Sequence, residues 1–218
     1  MSHAPDHERV SVVCLGAFNP RIHQPAWFVA QGLLSEEDAA EADVQIINND
    51  FCVFSTSWLR LEVTDNRWMV ASVATPVFES LRDFVLGTFS TLPHAPIEAV
   101  GLNSTSHYAI PERRAYEALG HELAPKEKYW DPILKNPRTL SLTIQADRED
   151  DYAGFLRAKI EPSPESKQGI LVDVNDEFRN PDASSSDWVV KLVTEEWERH
   201  RLRVDEIRRA IMEKVGVL

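Results

Sequence analysis

Residues 51–92 change from a strand-like to a helix-like pattern of apolar side chains, and this change constrains the fold more than any other feature of the chain. Apolar residues recur at every second position in stretches that predict strands at about 51–56, 58–64 and 67–74. Beyond a proline the apolar spacing becomes three or four residues, which predicts an amphipathic helix over 76–92. A strand meander followed directly by such a helix is typical of an α+β protein.

The second half of the chain repeats this order of elements. Alternation of apolar and polar residues predicts strands at about 97–108, 139–146, 153–160 and 169–175. The longest predicted helix follows at about 187–215, where apolar residues recur in alternating steps of three and four. We therefore predict an α+β fold with a largely antiparallel or mixed sheet of two meanders, helices packed on one face, and a long C-terminal helix.

The length of 218 residues suits one large domain or two small ones that pack closely together. Residues 1–8 are polar and predict a flexible tail, and residues 9–218 predict a single α+β domain. Two similar sheet-plus-helix halves, about 9–110 and 111–218, are the alternative. Gly120 is expected to end the first helix of the second half.

Composition excludes several classes of function. The formal net charge is −12, so nucleic-acid phosphate would be repelled and nucleic-acid binding is not expected. Cys14 and Cys52 lie in apolar strand-like contexts without a CxxC spacing, which predicts buried free thiols in a reducing compartment. No apolar run reaches the roughly 20 residues that a membrane span needs. We expect a cytoplasmic protein that does not bind a membrane.

No motif for a cofactor or a metal is present in the sequence. The glycines form neither a dinucleotide-binding nor a P-loop pattern, and the histidines lack the spacing of a zinc site. The acidic run at 147–151 is best explained as a hairpin turn between two strands. Residues 173–177 begin like a calcium loop, but Phe178 stands where the EF-hand requires glycine. We therefore predict no cofactor and no metal.

Candidates for a ligand site lie near the ends of predicted strands, where functional groups often project. His107 follows three hydroxyl residues near the end of the strand 97–108, and the other candidates are Arg21, Asn103 and Tyr108. These residues support an alternative in which the protein is an enzyme or a small-ligand-binding protein. No nucleophile elbow accompanies them, and proximity of serine and histidine in sequence does not establish a triad.

The apolar stripe of the last helix provides the candidate interface residues. They are Trp197, His200, Val204, Ile207 and Ile211. A helix this long must bury its stripe against the sheet, a partner, or both. His200 is expected to be partly buried and hydrogen-bonded to a neighbouring element. The arginines and glutamates of this helix have mixed signs, which predicts a solvated face with charge pairs one turn apart.

Five short segments together are similar to scattered, uncharacterised bacterial proteins of sporadic distribution. They are residues 15–20, 24–28, 100–103, 120–126 and 174–176. The resemblance implies a mobile-element or phage-defence setting and no activity. Since no catalytic constellation is present, the hypothesis is a non-catalytic interaction subunit of a larger cytoplasmic complex. Its partner is expected to be another protein or a second copy of the chain.

Overall fold

The computed structural model describes residues 4–73, 77–183 and 185–217, and it contains one nine-stranded antiparallel sheet in the order β2-β3-β4-β5-β1-β6-β9-β8-β7. The strands are β1 (His7–Gly16), β2 (Asp43–Ile47), β3 (Cys52–Ser55), β4 (Leu59–Val63), β5 (Arg67–Ser72), β6 (Ile97–Ala109), β7 (Leu142–Asp147), β8 (Gly154–Pro162) and β9 (Gly169–Arg179). The helices are α1 (Pro25–Ala30), α2 (Glu36–Ala40), α3 (Phe78–Thr91), α4 (Arg113–Leu123) and α5 (Asp187–Val217), with a short 3-10 helix at Pro20–Ile22.

This architecture confirms the predicted α+β fold. Each meander forms one wing of the sheet: β2 to β5 on one side and β7 to β9 on the other, with β1 and β6 paired between them. All described strand pairs are antiparallel, and within each wing neighbouring strands are joined by short connections. The last residue of the predicted strand 67–74 and the first residue of the predicted helix 76–92 lie outside the described residues.

The structure differs from the predicted elements in several places. β7 begins at Leu142, three residues after its predicted start, and its side chains are mostly exposed instead of alternating in burial. β1 begins at His7, so residues 7 and 8 belong to the sheet and not to a tail; the amide of Asp6 also donates to the carbonyl of His107. β2 had no predicted counterpart, since its side chains are almost all exposed and lack alternation. β9 extends to Arg179, four residues past its predicted end. Finally, α4 continues through Gly120.

The end of α4 is fixed by side chains and not by a glycine. The carbonyl of Gly120 accepts hydrogen bonds from the hydroxyl of Thr139 and the ammonium of Lys126, and the same ammonium reaches the carbonyl of Ala124. These donors satisfy carbonyls that have no partner within the last turn of a helix. The helix therefore ends three residues later than the sequence predicted.

The hydrophobic core lies between the helices and one face of the sheet, and it has two parts. The larger part joins β1, β3 to β6, α1, α3 and the first half of α5. The smaller part joins α4, the second half of α5 and the neighbouring ends of β6 and β9. The long C-terminal helix crosses both parts: Trp197, 1% exposed, belongs to the first and Val204 to the second. The predicted burial of its apolar stripe against the sheet is confirmed.

Candidate functional site

A buried polar cluster separates the two parts of the core. On β9 the residues facing the helices are Val174, Asp176 and Phe178, so a carboxylate stands between two apolar side chains of the same face. On α5 His200 lies between Trp197 and Val204 in the same way. The strand and the helix thus place Asp176 and His200 opposite each other in the protein interior.

Asp176 accepts hydrogen bonds from three cationic or aromatic side chains. Its Oδ2 lies 3.2 Å from Nδ1 of His200 and 2.6 and 2.9 Å from two nitrogens of Arg203. Its Oδ1 accepts from Arg148. Asp176 is fully buried. Burying a charge costs much free energy unless the charge is paired and hydrogen-bonded, and the carboxylate of Asp176 is both.

These contacts fix the protonation states at neutral pH. Burial alone would raise the pKa of Asp176, but the hydrogen bonds from His200 and Arg203 and the positive charge of Arg203 hold it at about 2. Burial lowers the pKa of His200, more than the contact with Asp176 raises it. His200 is therefore neutral near pH 7, with the proton on Nδ1 directed at Asp176. Its Nε2 is left as a bare acceptor.

A second buried carboxylate, Glu196, extends the cluster along α5. It accepts from Arg203 at 2.9 Å and from Arg199 at 2.7 Å. Arg148, from the turn between β7 and β8, completes the cluster: its guanidinium lies 3.7 Å from the centroid of the Phe178 ring, and it pairs with Asp150 as well as Asp176. The cluster therefore connects β9, α5 and the β7–β8 turn.

A cavity of about 400 Å³ lies beside this cluster, between β1, β6, the start of α3 and α5. Its polar lining includes His200, Arg208, Ser104 and Glu8. Arg208 donates to the carboxylate of Glu8 and, at 2.7 Å, to the hydroxyl of Ser104. Nε2 of His200 and Nε of Arg208 are buried out of reach of solvent and have no hydrogen-bond partner among the described residues.

The four ligand-site candidates from the sequence do not form one site. Arg21 lies in the short 3-10 helix and lines a different depression, with residues 47–50. Asn103 is on the face of the sheet away from the core and receives a hydrogen bond from Asn175. Tyr108 is buried in the smaller part of the core, on the helix side. No described contact connects any of these three with His107.

His107 lies on the same face as Asn103 but under the β8–β9 loop. Its Nδ1 is 2.9 Å from the hydroxyl of Ser163, and its Nε2 is 3.5 Å from Glu165. Glu165 also lies 3.3 Å from Arg9. The histidine is buried and its two nitrogens both have partners, so these contacts hold the loop on the sheet.

The interface candidates on α5 are for the most part covered by the chain itself. Trp197, His200, Val204 and Ile211 are buried, and Ile207 is half-buried against the smaller part of the core. The expected hydrogen bond of His200 to a neighbouring element is present.

The prediction that the charged residues of the last helix form a solvated face is wrong in part. Glu196 and Arg208 are buried, because each meets an opposite charge from its own helix or from the sheet. Four residues of the cluster were not among the candidates from the sequence: Arg148, Asp176, Glu196 and Arg203. The sequence held one signal for Asp176, which continues the alternation of Ile170, Val172 and Val174 towards Phe178.

Residues 173–177, which begin like a calcium loop, form part of β9. In the part of the chain that the structure describes, no group of three or more histidine, cysteine or acidic side chains could hold a metal ion. Cys14 and Cys52 are free and buried, as predicted. Among the described residues no helix is both long and apolar enough to span a membrane.

A second candidate site is an apolar surface at the edge of the sheet. It comprises residues 129–147, which include the edge strand β7. Six of the twelve large apolar side chains that are exposed among the described residues belong to it: Tyr129, Trp130, Ile133, Leu134, Leu140 and Ile144. A groove of about 550 Å³ runs beside it, between α4 and the strands β7 and β8. Exposed apolar side chains concentrated in one segment of the surface mark a candidate binding site.

Comparison of the chain with models of protein families and with curated protein sequences gave no match.

Proposed function

We propose that this protein is a non-catalytic interaction subunit of a larger complex, and that its docking surface is the edge strand β7 with residues 129–144. The observation that carries the proposal is the combination of an unpaired sheet edge with exposed aromatic and aliphatic side chains. Aromatic residues dominate the energy of protein interfaces, and Tyr129 and Trp130 are both exposed on this surface. The occupant that the geometry favours is a second copy of the chain.

The first support is the position of β7 at the end of the sheet. β7 pairs with β8 on one side, and none of the described residues pairs with its other side. Natural proteins usually shield such an edge, because its free N–H and C=O groups can pair with another chain. Here Ile144 is 57% exposed, so the edge carries an apolar side chain as well.

The second support is the face on which the apolar side chains of β7 lie. Leu142 is paired with Ile160, which is paired with the buried Val172, so Leu142 and Ile144 lie on the helix side of the sheet. A two-fold axis that pairs β7 with a second β7 in antiparallel fashion keeps the helix sides of both copies together. The apolar surfaces of the two copies would then meet and bury each other.

The third support is the local charge. The docking surface, residues 129–147 including β7, contains two cationic and two acidic side chains, in a chain whose net charge is −12. Long-range repulsion opposes the approach of two acidic copies, and it is weaker where the surface has no net charge. The cationic residues are Lys135 and Arg138, and the acidic ones are Asp131 and Asp147.

The test is the mass of the purified protein by light scattering over a range of concentrations. The proposal predicts a species of twice 24.8 kDa that dissociates on dilution. Ile144→Lys should shift the protein to the monomer. Val44→Lys is the matched control, because Val44 is 46% exposed on the opposite edge strand β2. A wild-type monomer at high concentration, or a dimer that both variants retain, would refute the proposed surface.

The setting in phage defence belongs to this proposal through the sequence resemblance alone. Plaque counts on cells that carry the gene with its neighbours test it. Protection should be present with the wild-type gene and lost with Ile144→Lys, if assembly through β7 is required. Equal plaque counts with and without the gene would contradict a role in phage defence. This result would not bear on the docking surface, which the mass measurement tests separately.

A further inference from the structure

We propose that the edge strand β2 is a second docking surface, and that it binds a basic, extended segment of a partner protein as an added strand. The inference rests on the proposed role as an interaction subunit, and it concerns a partner other than a second copy of the chain. β2 lies at the end of the sheet opposite β7 and pairs with β3, while no described residue pairs with its outer side. Such an edge offers free N–H and C=O groups to an extended peptide, and these supply the affinity in this mode of recognition.

The edge presents apolar side chains on both faces of the sheet. Val44 is 46% exposed and is paired with the buried Phe54, so it lies on the helix side. Ile46 is 40% exposed and is paired with Val53, which lies between the buried residues Cys52 and Phe54 of β3, so it lies on the opposite face. A bulge between Val44 and Ile46 allows two residues of this spacing to face opposite sides. An added strand would therefore find an apolar neighbour on either face.

The charge of the surrounding surface favours a basic partner. Residues 31–52 contain no lysine, arginine or histidine but six acidic side chains: Glu36, Glu37, Asp38, Glu41, Asp43 and Asp50. Five of the six are exposed, and none forms an ion pair with a described residue. Arg60 reaches Gln45 from β4, but it is paired with Glu62 at 2.7 Å. Arg21 lines a depression with residues 47–50. The negative charge around β2 is thus compensated only in part within the chain.

The same charge disfavours two other occupants. Two copies that met edge to edge at β2 would bring two sets of six carboxylates together, and like charges across an interface cost free energy. A metal ion does not fit either, because no group of three or more histidine, cysteine or acidic side chains in the described part of the chain could hold one. A strand with basic side chains would pair with the free backbone and also neutralise the acidic surface.

The test measures the binding of three synthetic heptapeptides to the full-length protein by calorimetry, at neutral pH and physiological ionic strength. The probe alternates lysine with valine. One control peptide has glutamate in place of lysine, and the other has proline in place of valine, which keeps the charge but prevents strand pairing. The lysine–valine peptide should bind more tightly than both controls. On binding, hydrogen exchange of amides in residues 43–47 should slow, while that of β7 should not change.

A matched pair of variants tests whether the peptide binds at β2. Val44→Lys and Ile144→Lys each add one positive charge at an exposed apolar position of an edge strand, on β2 and β7 respectively. Val44→Lys should weaken binding of the lysine–valine peptide about tenfold, because a cation replaces an apolar contact beside cationic side chains. Ile144→Lys should leave this binding unchanged, since it alters the net charge equally but lies at the other edge.

Any one of three results would overturn the proposal. The first is that the lysine–valine peptide does not bind the wild-type protein. The second is that either control peptide binds as tightly, which for the proline peptide would mean general attraction to an acidic protein. The third is that slowed exchange appears in β7 and not in β2, or that the two variants bind the peptide equally well. The mass of the protein alone tests the β7 surface, so the two proposals can fail independently.

Discussion

Replacing Asp176 by Asn tests whether the buried cluster stabilises the fold through charge. The carboxylate is fully buried and faces two arginines, so the substitution keeps the shape of the side chain but leaves those cations without their shared anion. Breaking a buried ion pair by removing one partner costs about 3–5 kcal/mol. We expect the free energy of unfolding at pH 7 to fall by about that amount.

The pH dependence of this loss follows from the pKa of Asp176. It falls from 3.8 to about 2 on folding, and each unit of pKa corresponds to about 1.4 kcal/mol, so ionisation contributes about 2 kcal/mol. Because the pKa in the folded state is depressed, this contribution is present above pH 3.8 and is lost as the pH falls through about 2. The gap between the wild type and Asp176→Asn should therefore narrow by about 1 kcal/mol between pH 7 and pH 3.

The assay is urea unfolding followed by tryptophan fluorescence at several pH values between 7 and 3. Asp147→Asn is the control, because it removes the same charge from an exposed position on β7, and it should change the stability by less than about 0.5 kcal/mol. Two results would show that the charge of Asp176 does not stabilise the fold. One is a free energy of unfolding of Asp176→Asn equal to that of the control variant. The other is a loss of stability, relative to the wild type, that is the same at every pH.

Three further predictions concern the helix α5, the strand β8 and the two cysteines. Trp197→Ala should lower the free energy of unfolding by about 3–5 kcal/mol, measured by urea unfolding, since the indole is 1% exposed; wild-type stability would show that α5 is not a principal packing element. Gly154→Ala should lower the melting temperature by several degrees, because φ is +137° and a Cβ would stand 2.0 Å from the carbonyl oxygen of Glu177; an unchanged melting temperature would contradict this. Cys14 and Cys52 should react with a disulfide reagent at pH 8 only after unfolding, since burial raises the pKa of both thiols, that of Cys52 to about 11; fast reaction of the native protein would contradict their burial.

The sequence predicted the elements with strong periodicity and missed the ones without it. Strands such as β4 and β5 alternate between core and solvent, so their patterns predicted their positions closely. β2 is an exposed edge strand, and its side chains have no buried face to produce alternation. The end of α4 was misplaced because contacts with Lys126 and Thr139 determine it, and those depend on the tertiary structure.

The buried cluster could not be predicted, because charges that are buried and charges that are solvated look alike in sequence. Glu196 and Arg203 stand on α5 at spacings that also suit exposed pairs, and Arg148 belongs to an acidic turn. Only the fold brings Arg148 over Phe178 and beside Asp176. Of the ligand-site candidates on β6, Tyr108 lies on the face opposite Asn103 and His107, because successive residues of a strand point to opposite faces of the sheet.

The most direct test of the proposed docking surface is hydrogen exchange of the backbone amides of β7 at several protein concentrations. The free edge of the strand exposes amides that exchange rapidly in the monomer. If a second copy pairs with this edge, protection of residues 142–147 should increase with concentration in the wild type and stay low in Ile144→Lys, while β2 should not change. Rapid exchange of β7 at a concentration where the measured mass is that of a dimer would contradict the account.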